Sequence, residues 1–228
     1  MPHTTPAPDY QVKLEHLSLG GLNYQIRSLL DRQQFFDPDG VAERAGISSA
    51  SWPLFGLVWP SARILAGIAQ TLPLAGKRVL EIGCGLGLAS LVMQRRGADI
   101  TASDLHPLAA GFMTENLHLN QLDAIDFRTG NWADADNTLG AFDLIVGSDV
   151  LYERDLPDAL AGFLDRHAKP TVEVIIIDPN RSNRAAFTRR MRAFGFAHSE
   201  TRAAAHQECG EAYQGRVLNY RRGYLPAP

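Results

Sequence analysis

The most constraining feature of this chain is an apolar run that ends in a turn with three glycines. Residues 78–87 read Arg-Val-Leu-Glu-Ile-Gly-Cys-Gly-Leu-Gly, so a predicted buried strand leads directly into Gly83, Gly85 and Gly87. Glycine is favoured after a parallel strand where φ is positive or where the backbone must approach a ligand. The next apolar run ends at Asp104, and an acid there can accept hydrogen bonds from ribose hydroxyls. Together these features predict a site for a nucleoside-containing cofactor.

The spacing of the glycines separates two kinds of cofactor. A dinucleotide fold carries Gly-x-Gly-x-x-Gly, which rests the diphosphate on a helix N-terminus, whereas this turn reads Gly-x-Gly-x-Gly. Glu81, two residues before the first glycine, is expected to repel a diphosphate and attract a cation. S-adenosylmethionine combines an adenosine with a sulfonium and an ammonium and has no phosphate. We therefore expect S-adenosylmethionine, with Glu81 either contacting it or anchoring backbone amides of the turn; a turn that serves packing alone is the alternative.

Composition places the chain among globular proteins and argues against several classes of function. Its 228 residues, 45% apolar and 21% charged, suffice for one sizeable α/β domain. A net charge of −3 gives no general attraction to nucleic acid or to an anionic membrane. The N-terminal residues are polar and no apolar run approaches the ~20 residues of a membrane span, so we expect a cytoplasmic protein. Cys84 and Cys209 alone favour neither a disulfide nor a metal site, and the sequence leaves the oligomeric state open.

Strand and helix patterns alternate five times in the larger part of the chain. The predicted strands are short apolar runs, as expected when helices cover both faces of a parallel sheet. We therefore predict a doubly wound, mostly parallel, seven-stranded Rossmann-like α/β sheet over residues 51–228. Residues 1–50 are predicted to form a tail and a β-hairpin that turns at Gly20-Gly21, and residues 46–61 are predicted to be loop-like.

Polar or aromatic residues follow four of the predicted strands. Ligands of doubly wound sheets bind beyond the carboxyl ends of the strands, so side chains at these ends are expected to share one site. The four strand ends carry Glu81–Gly85, Asp104, Asn131-Trp132 and Ser148–Tyr152.

These motifs resemble those of the seven-strand S-adenosylmethionine-dependent methyltransferases over roughly residues 55–195. Val79–Gly87 is similar to the first cofactor motif of that superfamily and Ala102–Leu105 to the second. Ser-Asp-Val-Leu-Tyr at 148–152 resembles the Asp-x-x-Tyr branch, which is rich in protein lysine methyltransferases. Ile-Asp-Pro-Asn-Arg at 177–181 is similar to the form found in the electron-transfer-flavoprotein β-subunit lysine methyltransferases and bacterial relatives, which usually have Asp-Pro-Gly-Arg.

The resemblance implies a role for each strand-end residue. Asp104 is implied to hold the ribose hydroxyls, Trp132 and Asn131 to border the adenine, and Trp59 to pack on the entry side of the cofactor. The implied cofactor-binding residues are Trp59, Glu81, Gly83, Cys84, Gly85, Gly87, Asp104, Leu105, Asn131, Trp132 and Ser148. Asp149 and Tyr152 are implied to face the methyl acceptor.

Asp149 and Tyr152 are the residues expected to matter most for chemistry. A lysine side chain, with an ordinary pKa of about 10.4, is an ammonium at neutral pH and has no lone pair with which to attack a methyl group. A carboxylate can attract and orient the lysine, and desolvation in an aromatic-lined slot lowers the pKa of the amine. The transfer then requires mainly alignment of nitrogen, methyl and sulfur. The alternative is that Asp149 caps a helix and Tyr152 packs.

Other functions compete with protein lysine methylation. A small amine or pyridine-type acceptor suits the same core, and a catalytically silent cofactor-binding module would not need Asp149. Enzymes that methylate nucleic-acid bases usually carry Asn-Pro-Pro-Tyr or Asp-Pro-Pro-Tyr after strand four, which differs from Asp-Val-Leu-Tyr here. The arginine-rich segment Arg181–Arg192 is interpreted as a solvated helix face, with a docking surface for an acidic partner as the alternative. His106 is interpreted as a helix-start residue, with a catalytic role as the alternative.

Overall fold

The computed structural model describes residues 9–19, 21–135, 138–152, 156–203 and 213–224. Residues 1–8, Gly20 and Cys209 lie outside these ranges. The strands are β1 (Val12–Leu19), β2 (Leu22–Leu29), β3 (Arg78–Ile82), β4 (Asp99–Asp104), β5 (Asp126–Thr129), β6 (Phe142–Ser148), β7 (Ala168–Asp178), β8 (Ala197–Arg202) and β9 (Arg216–Arg222). The α-helices are α1 (Val41–Arg44), α2 (Pro60–Ala69), α3 (Leu88–Arg95), α4 (Ala109–Leu119), α5 (Leu156–His167) and α6 (Arg184–Ala193).

Seven strands form one sheet in the order β5-β4-β3-β6-β7-β9-β8. Every neighbouring pair is parallel except the two pairs that involve β9, which runs antiparallel to β7 and β8. The central strands are buried on both faces: in β7, the run Val172–Asp178 is buried throughout. The predicted doubly wound, mostly parallel sheet is confirmed, and its carboxyl-terminal edge collects the ends of β3, β4 and β6.

The predicted N-terminal hairpin is also confirmed. β1 pairs antiparallel with β2, with Val12 opposite Leu29 and Leu19 opposite Leu22. Alternation places one face of the hairpin inward, where Leu17 and Tyr24 join the same hydrophobic core as the β3–α3 region. Residues 1–50 were predicted as an extension, and the described part of that extension packs directly on the main core.

The predicted loop at residues 46–61 contains a short 3₁₀-helix, Trp52–Gly56, before α2 begins at Pro60. Trp52 is 1% exposed and contacts Phe55 edge-to-face at 5.9 Å between ring centroids. A five-residue helix is too short for a helical periodicity of apolar residues to be recognised in the sequence. Tertiary packing of its aromatic residues holds it in place. The stretch Trp52–Ala69, with mean hydropathy 1.2, has the length and composition of a membrane span, but half of it is buried within the protein, as in a core helix.

Candidate active site

A cavity of about 480 Å³ lies beyond the carboxyl ends of β3, β4 and β6. The 3₁₀-helix, the start of α2 and the turn after β7 complete its walls. Twelve of the thirteen predicted site residues line it: Trp59, Gly83, Cys84, Gly85, Gly87, Asp104, Leu105, Asn131, Trp132, Ser148, Asp149 and Tyr152. The strand ends that the sequence analysis assigned to one site therefore do share one cavity.

The glycine turn after β3 adopts a backbone that only glycine occupies readily. Gly83, Gly85 and Gly87 have φ values of 54°, 52° and 70°. A Cβ atom on Gly85 would lie 2.7 Å from the carbonyl oxygen of Phe55, and one on Gly83 would lie 2.9 Å from Val150 Cγ1. The glycines thus let the 3₁₀-helix and the loop after β6 approach the turn, which brings the cavity walls together.

Asp104 is fixed at the end of β4 by two backbone amides. One carboxylate oxygen accepts a hydrogen bond from the Gly85 amide at 2.8 Å, and the other accepts one from the His106 amide at 2.8 Å. Burial raises the pKa of Asp104, and these amides oppose the rise. A carboxylate has about four acceptor positions, so the oriented group keeps capacity for two further donors, such as the hydroxyls of a ribose.

Glu81 is the one predicted site residue that does not line the cavity. Its side chain is 2% exposed and accepts hydrogen bonds from the Ser90 amide, at 2.7 Å, and from the Ser90 hydroxyl. Glu81 therefore anchors a backbone amide, as one of its two expected roles required, but the amide belongs to Ser90 in the first turn of α3 and not to the glycine turn. Burial raises the pKa of Glu81 to about 7. A partly protonated group contributes less negative charge to the turn than the sequence suggested, so Glu81 is a weak reason to prefer a cation.

Two tryptophans border the cavity. The Trp59 indole donates a hydrogen bond to the Leu54 carbonyl at 2.7 Å, which orients the half-buried ring just before α2. Trp132 is half-buried, and its ring lies about 3.6 Å from the Cβ position of Gly83. Trp132 therefore covers the first glycine of the turn and offers a flat apolar face to the cavity.

Asp149 lies where the cavity meets the turn after β7. It has a φ of 55°, and its amide donates a hydrogen bond to the Ile177 carbonyl at 2.8 Å. Arg181 binds both carboxylate oxygens, with Nε–Oδ1 at 2.7 Å and Nη2–Oδ2 at 2.8 Å. Tyr152 lies at the mouth of the same cavity and is 48% exposed. Arg181 is a site residue that the sequence analysis did not assign, although its position three residues after a strand was an available signal.

The surroundings of His106 and Cys84 indicate structural roles and not catalytic ones. The His106 ring stacks on Phe55 at 3.7 Å, and its Nδ1 accepts a hydrogen bond from the Leu108 amide at 3.2 Å. Burial lowers the pKa of His106 to about 4, so the ring is neutral and fits the helix-start interpretation. Burial raises the pKa of the Cys84 thiol well above its ordinary value, which disfavours a nucleophilic thiolate. Among the described residues, no cluster of three His, Cys, Asp or Glu side chains could hold a metal ion.

Solved methyltransferase structures share this fold. The T. thermophilus 16S rRNA N2 G1207 methyltransferase in complex with AdoMet and guanosine matches with a TM-score of 0.63 and 17% identity, covering 96% of this chain and 52% of that one. The magnesium protoporphyrin IX methyltransferase from Synechocystis PCC 6803 with bound SAM matches with a TM-score of 0.57 and 20% identity, covering 71% of this chain and 79% of that one. At these identities the likeness concerns the fold alone.

Curated relatives are more similar in sequence. The electron transfer flavoprotein beta subunit lysine methyltransferase of Mus musculus is 33% identical over 161 residues, which are 69% of this chain and 60% of the relative. The protein N-lysine methyltransferase METTL21A of Danio rerio is 30% identical over 139 residues, 56% of this chain and 63% of the relative. The aligned part thus spans about 60% of the length of the mouse relative.

A family model described as lysine methyltransferase matches residues 53–193. The match begins in the 3₁₀-helix and ends with α6, so it includes the glycine turn, Asp104, Asp149 and Arg181. It covers more than half of the chain and all the strand ends that line the cavity. The chain therefore belongs to the lysine methyltransferase family.

Proposed function

We propose that this chain is an S-adenosylmethionine-dependent N-methyltransferase whose acceptor is a lysine side chain of a protein. One observation carries the proposal: a single cavity joins the glycine turn and Asp104 to Asp149 and Tyr152. A nucleoside-binding region and an acceptor-facing carboxylate therefore lie in reach of one another. Membership of the lysine methyltransferase family supports the same reaction.

The cavity lining fits a donor that carries an adenosine and no phosphate. Asp104 retains acceptor capacity for ribose hydroxyls, and Trp132 and Leu105 offer apolar surface to a purine. Among the described residues that line the cavity, Arg181 is the sole Lys or Arg side chain, and it is engaged by Asp149. A diphosphate would therefore find no unengaged lysine or arginine among the described lining residues, and the turn also lacks the Gly-x-Gly-x-x-Gly spacing that rests a diphosphate on a helix N-terminus. S-adenosylmethionine, when bound, supplies the methyl group on its sulfonium sulfur.

The acceptor end of the cavity suits a side chain that enters from outside. Tyr152 is half exposed at the mouth, and Asp149 lies deeper, with its side chain 15% exposed. An entering lysine would meet an aromatic ring and then a fixed carboxylate, which orient its nitrogen while the walls remove water. The lysine loses its proton to solvent before its nitrogen takes the methyl group. A small amine as acceptor is the alternative, since the same lining would accommodate it.

Transfer of labelled methyl groups tests the proposal. Purified chain, radiolabelled S-adenosylmethionine and a heat-treated lysate of the source organism are incubated, and protein and small-molecule fractions are counted separately. We expect label in a discrete protein band, with Nε-methyllysine identified by mass spectrometry. Label only in the small-molecule fraction would support the alternative acceptor, and no label in either would contradict the proposal.

Purified electron transfer flavoprotein β-subunit is the first defined acceptor to add, because several relatives are named for it. A cytoplasmic location stays a prediction.

A further inference from the structure

The acceptor-facing carboxylate of Asp149 is already paired with a cation of the same chain. Both guanidinium–carboxylate hydrogen bonds to Arg181 are short, and Asp149 is much less exposed than its partner, at 15% against 42% of the side chain. A bidentate pair of this kind fixes the plane of both groups and neutralises the carboxylate. An entering lysine therefore meets a neutral ion pair instead of a bare negative charge.

The turn after β7 is built to hold Arg181 in this place. The Arg181 amide donates a hydrogen bond to Asp178 Oδ1 at 2.9 Å, and Asp178 itself is fully buried at the end of the strand. Asn180, the residue before Arg181, has a φ of 72°, which turns the chain toward the cavity. Asn183 Nδ2 donates to the Leu151 carbonyl at 2.9 Å, so the loop after β6 and the turn after β7 are joined. Two strand ends thus set the relative position of Asp149 and Arg181.

This arrangement bears on the central difficulty of lysine methylation, which is removal of the ammonium proton. An isolated carboxylate beside the acceptor would stabilise the ammonium and oppose deprotonation. A nearby guanidinium has the opposite effect, because two positive charges within a few ångströms repel each other. Resting on the proposed function, we propose that Arg181 is a positioning residue that orients and neutralises Asp149 and thereby favours the uncharged amine of the acceptor.

The other charged or titratable groups near the pair leave this balance in place. The hydrogen bond to Asp149 raises the pKa of Arg181, so the guanidinium stays charged. Burial raises the pKa of Tyr213 to about 12, and this tyrosine is neutral. Burial also raises the pKa of Asp178, whose carboxylate faces the Arg181 amide and the charge of Arg184. Asp104 also lines the cavity, but it lies at the end of β4, where two backbone amides donate hydrogen bonds to it, so Asp149 and Arg181 are the charged pair among the described residues at the proposed acceptor end.

The pH dependence of transfer tests this role. The acceptor is the protein that the wild-type chain labels in heat-treated lysate, isolated from the labelled band, and kcat at saturating acceptor is measured from pH 6 to 10.5 for wild type, Arg181→Met, Arg181→Lys and Arg189→Met, because kcat reports the pKa values of groups in the bound complex. Arg189→Met is the matched control, because it removes the same charge from an exposed position on α6 outside the cavity lining. Calorimetric binding of S-adenosylmethionine shows that each variant is folded.

We expect the acidic limb of the Arg181→Met profile to lie about one pH unit higher than that of the wild type. Near pH 7.5 this shift lowers the rate roughly tenfold. Arg181→Lys keeps the charge and should keep the limb of the wild type despite a lower rate, and Arg189→Met should match the wild type. A uniform loss in Arg181→Met with an unmoved limb would assign Arg181 a merely structural role and overturn the inference. A limb that moves equally in Arg181→Lys would also overturn it. If the wild type labels no protein, the proposed function itself fails, and the inference fails with it.

Discussion

The side chain of Asn116 forms with the backbone of Arg27 the two hydrogen bonds that a neighbouring β-strand would form. Asn116 Oδ1 accepts from the Arg27 amide at 2.7 Å, and its Nδ2 donates to the Arg27 carbonyl at 3.3 Å. One helical turn later, Asn120 binds the backbone of Gln25 in the same way, at 2.9 and 2.7 Å. Helix α4 thus takes the place of a third strand along the edge of β2 and attaches the hairpin to the main domain.

Replacement of Asn116 by alanine should destabilise the protein. The side chain is fully buried, and its loss leaves the amide and carbonyl of Arg27 without these partners. We expect a loss of about 2–3 kcal/mol in the free energy of unfolding, measured in urea, with faster hydrogen exchange at the Arg27 amide. Thr114→Ala, on the exposed face of the same helix, is the control and should change stability by a few tenths of a kcal/mol. Equal stabilities of the two variants would exclude the strand-like role.

Replacement of Gly85 by alanine should damage the cavity as well as the fold. The new Cβ would combine a strained positive φ with a 2.7 Å contact to the Phe55 carbonyl, so the 3₁₀-helix would have to move. Gly97→Ala is the control, because Gly97 has a φ of 74° and no atom within 4 Å of an added Cβ. This variant should be destabilised only by backbone strain, about 1–2 kcal/mol in the free energy of unfolding. We expect calorimetry to show S-adenosylmethionine binding lost in Gly85→Ala and retained in Gly97→Ala. Retained binding in both would show that the contact between turn and 3₁₀-helix does not shape the site.

Replacement of Asp149 by asparagine should separate binding from transfer. Asparagine tolerates the positive φ found here, so the backbone of the loop is expected to persist. Without the carboxylate, position 149 no longer orients the acceptor nitrogen, and Arg181 loses the bidentate partner that fixes its guanidinium plane. We expect unchanged S-adenosylmethionine affinity and at least about a 100-fold loss of labelled methyl transfer. Transfer at the rate of the wild type would remove Asp149 from the acceptor site.

Replacement of Glu81 by glutamine should change how stability depends on pH. Burial raises the pKa of Glu81 from its ordinary value of 4.5 to about 7. Between these values the unfolded chain has lost the proton and the folded chain keeps it, so the contribution of Glu81 to the stability of the wild type falls as pH rises and levels off above about pH 7. Glutamine cannot ionise. Relative to the wild type, Glu81→Gln should therefore gain about 3 kcal/mol in urea unfolding between pH 4.5 and 8. A stability difference that stays constant with pH would contradict a buried, late-ionising Glu81.

Local patterns in the sequence were sufficient for the sheet and for most of the cavity. The apolar run of β3 and its three glycines, and the acid at the end of β4, are contiguous signals with a strong physical cause: buried strands exclude polar residues, and a tight turn requires positive φ. Because parallel strands end at one edge, the sequence positions of Asp104, Trp132 and Asp149 alone predicted a shared site.

Contacts between residues far apart in the chain could not be predicted from such local patterns. The pairing of Asn116 with Arg27 joins residues 89 positions apart, and the ion pair of Asp149 with Arg181 joins residues 32 positions apart. Asn116 and Arg181 gave no sign of these contacts in the sequence, because an asparagine on a helix and an arginine in a turn are both common. Glu81 was misjudged in part for a related reason: only its burial against Ser90 shows that it is turned away from the cavity.

Calorimetric titration of the purified chain with S-adenosylmethionine, and separately with NAD, tests the central claim most directly. The arrangement of Asp104 predicts saturable binding of S-adenosylmethionine that weakens by about 100-fold in Asp104→Ala, because two charge-assisted hydrogen bonds to the ribose are lost. NAD should not bind, since the turn reads Gly-x-Gly-x-Gly and lacks the spacing that rests a diphosphate on a helix N-terminus. Uptake of NAD without uptake of S-adenosylmethionine, or equal S-adenosylmethionine affinity in wild type and Asp104→Ala, would contradict the account.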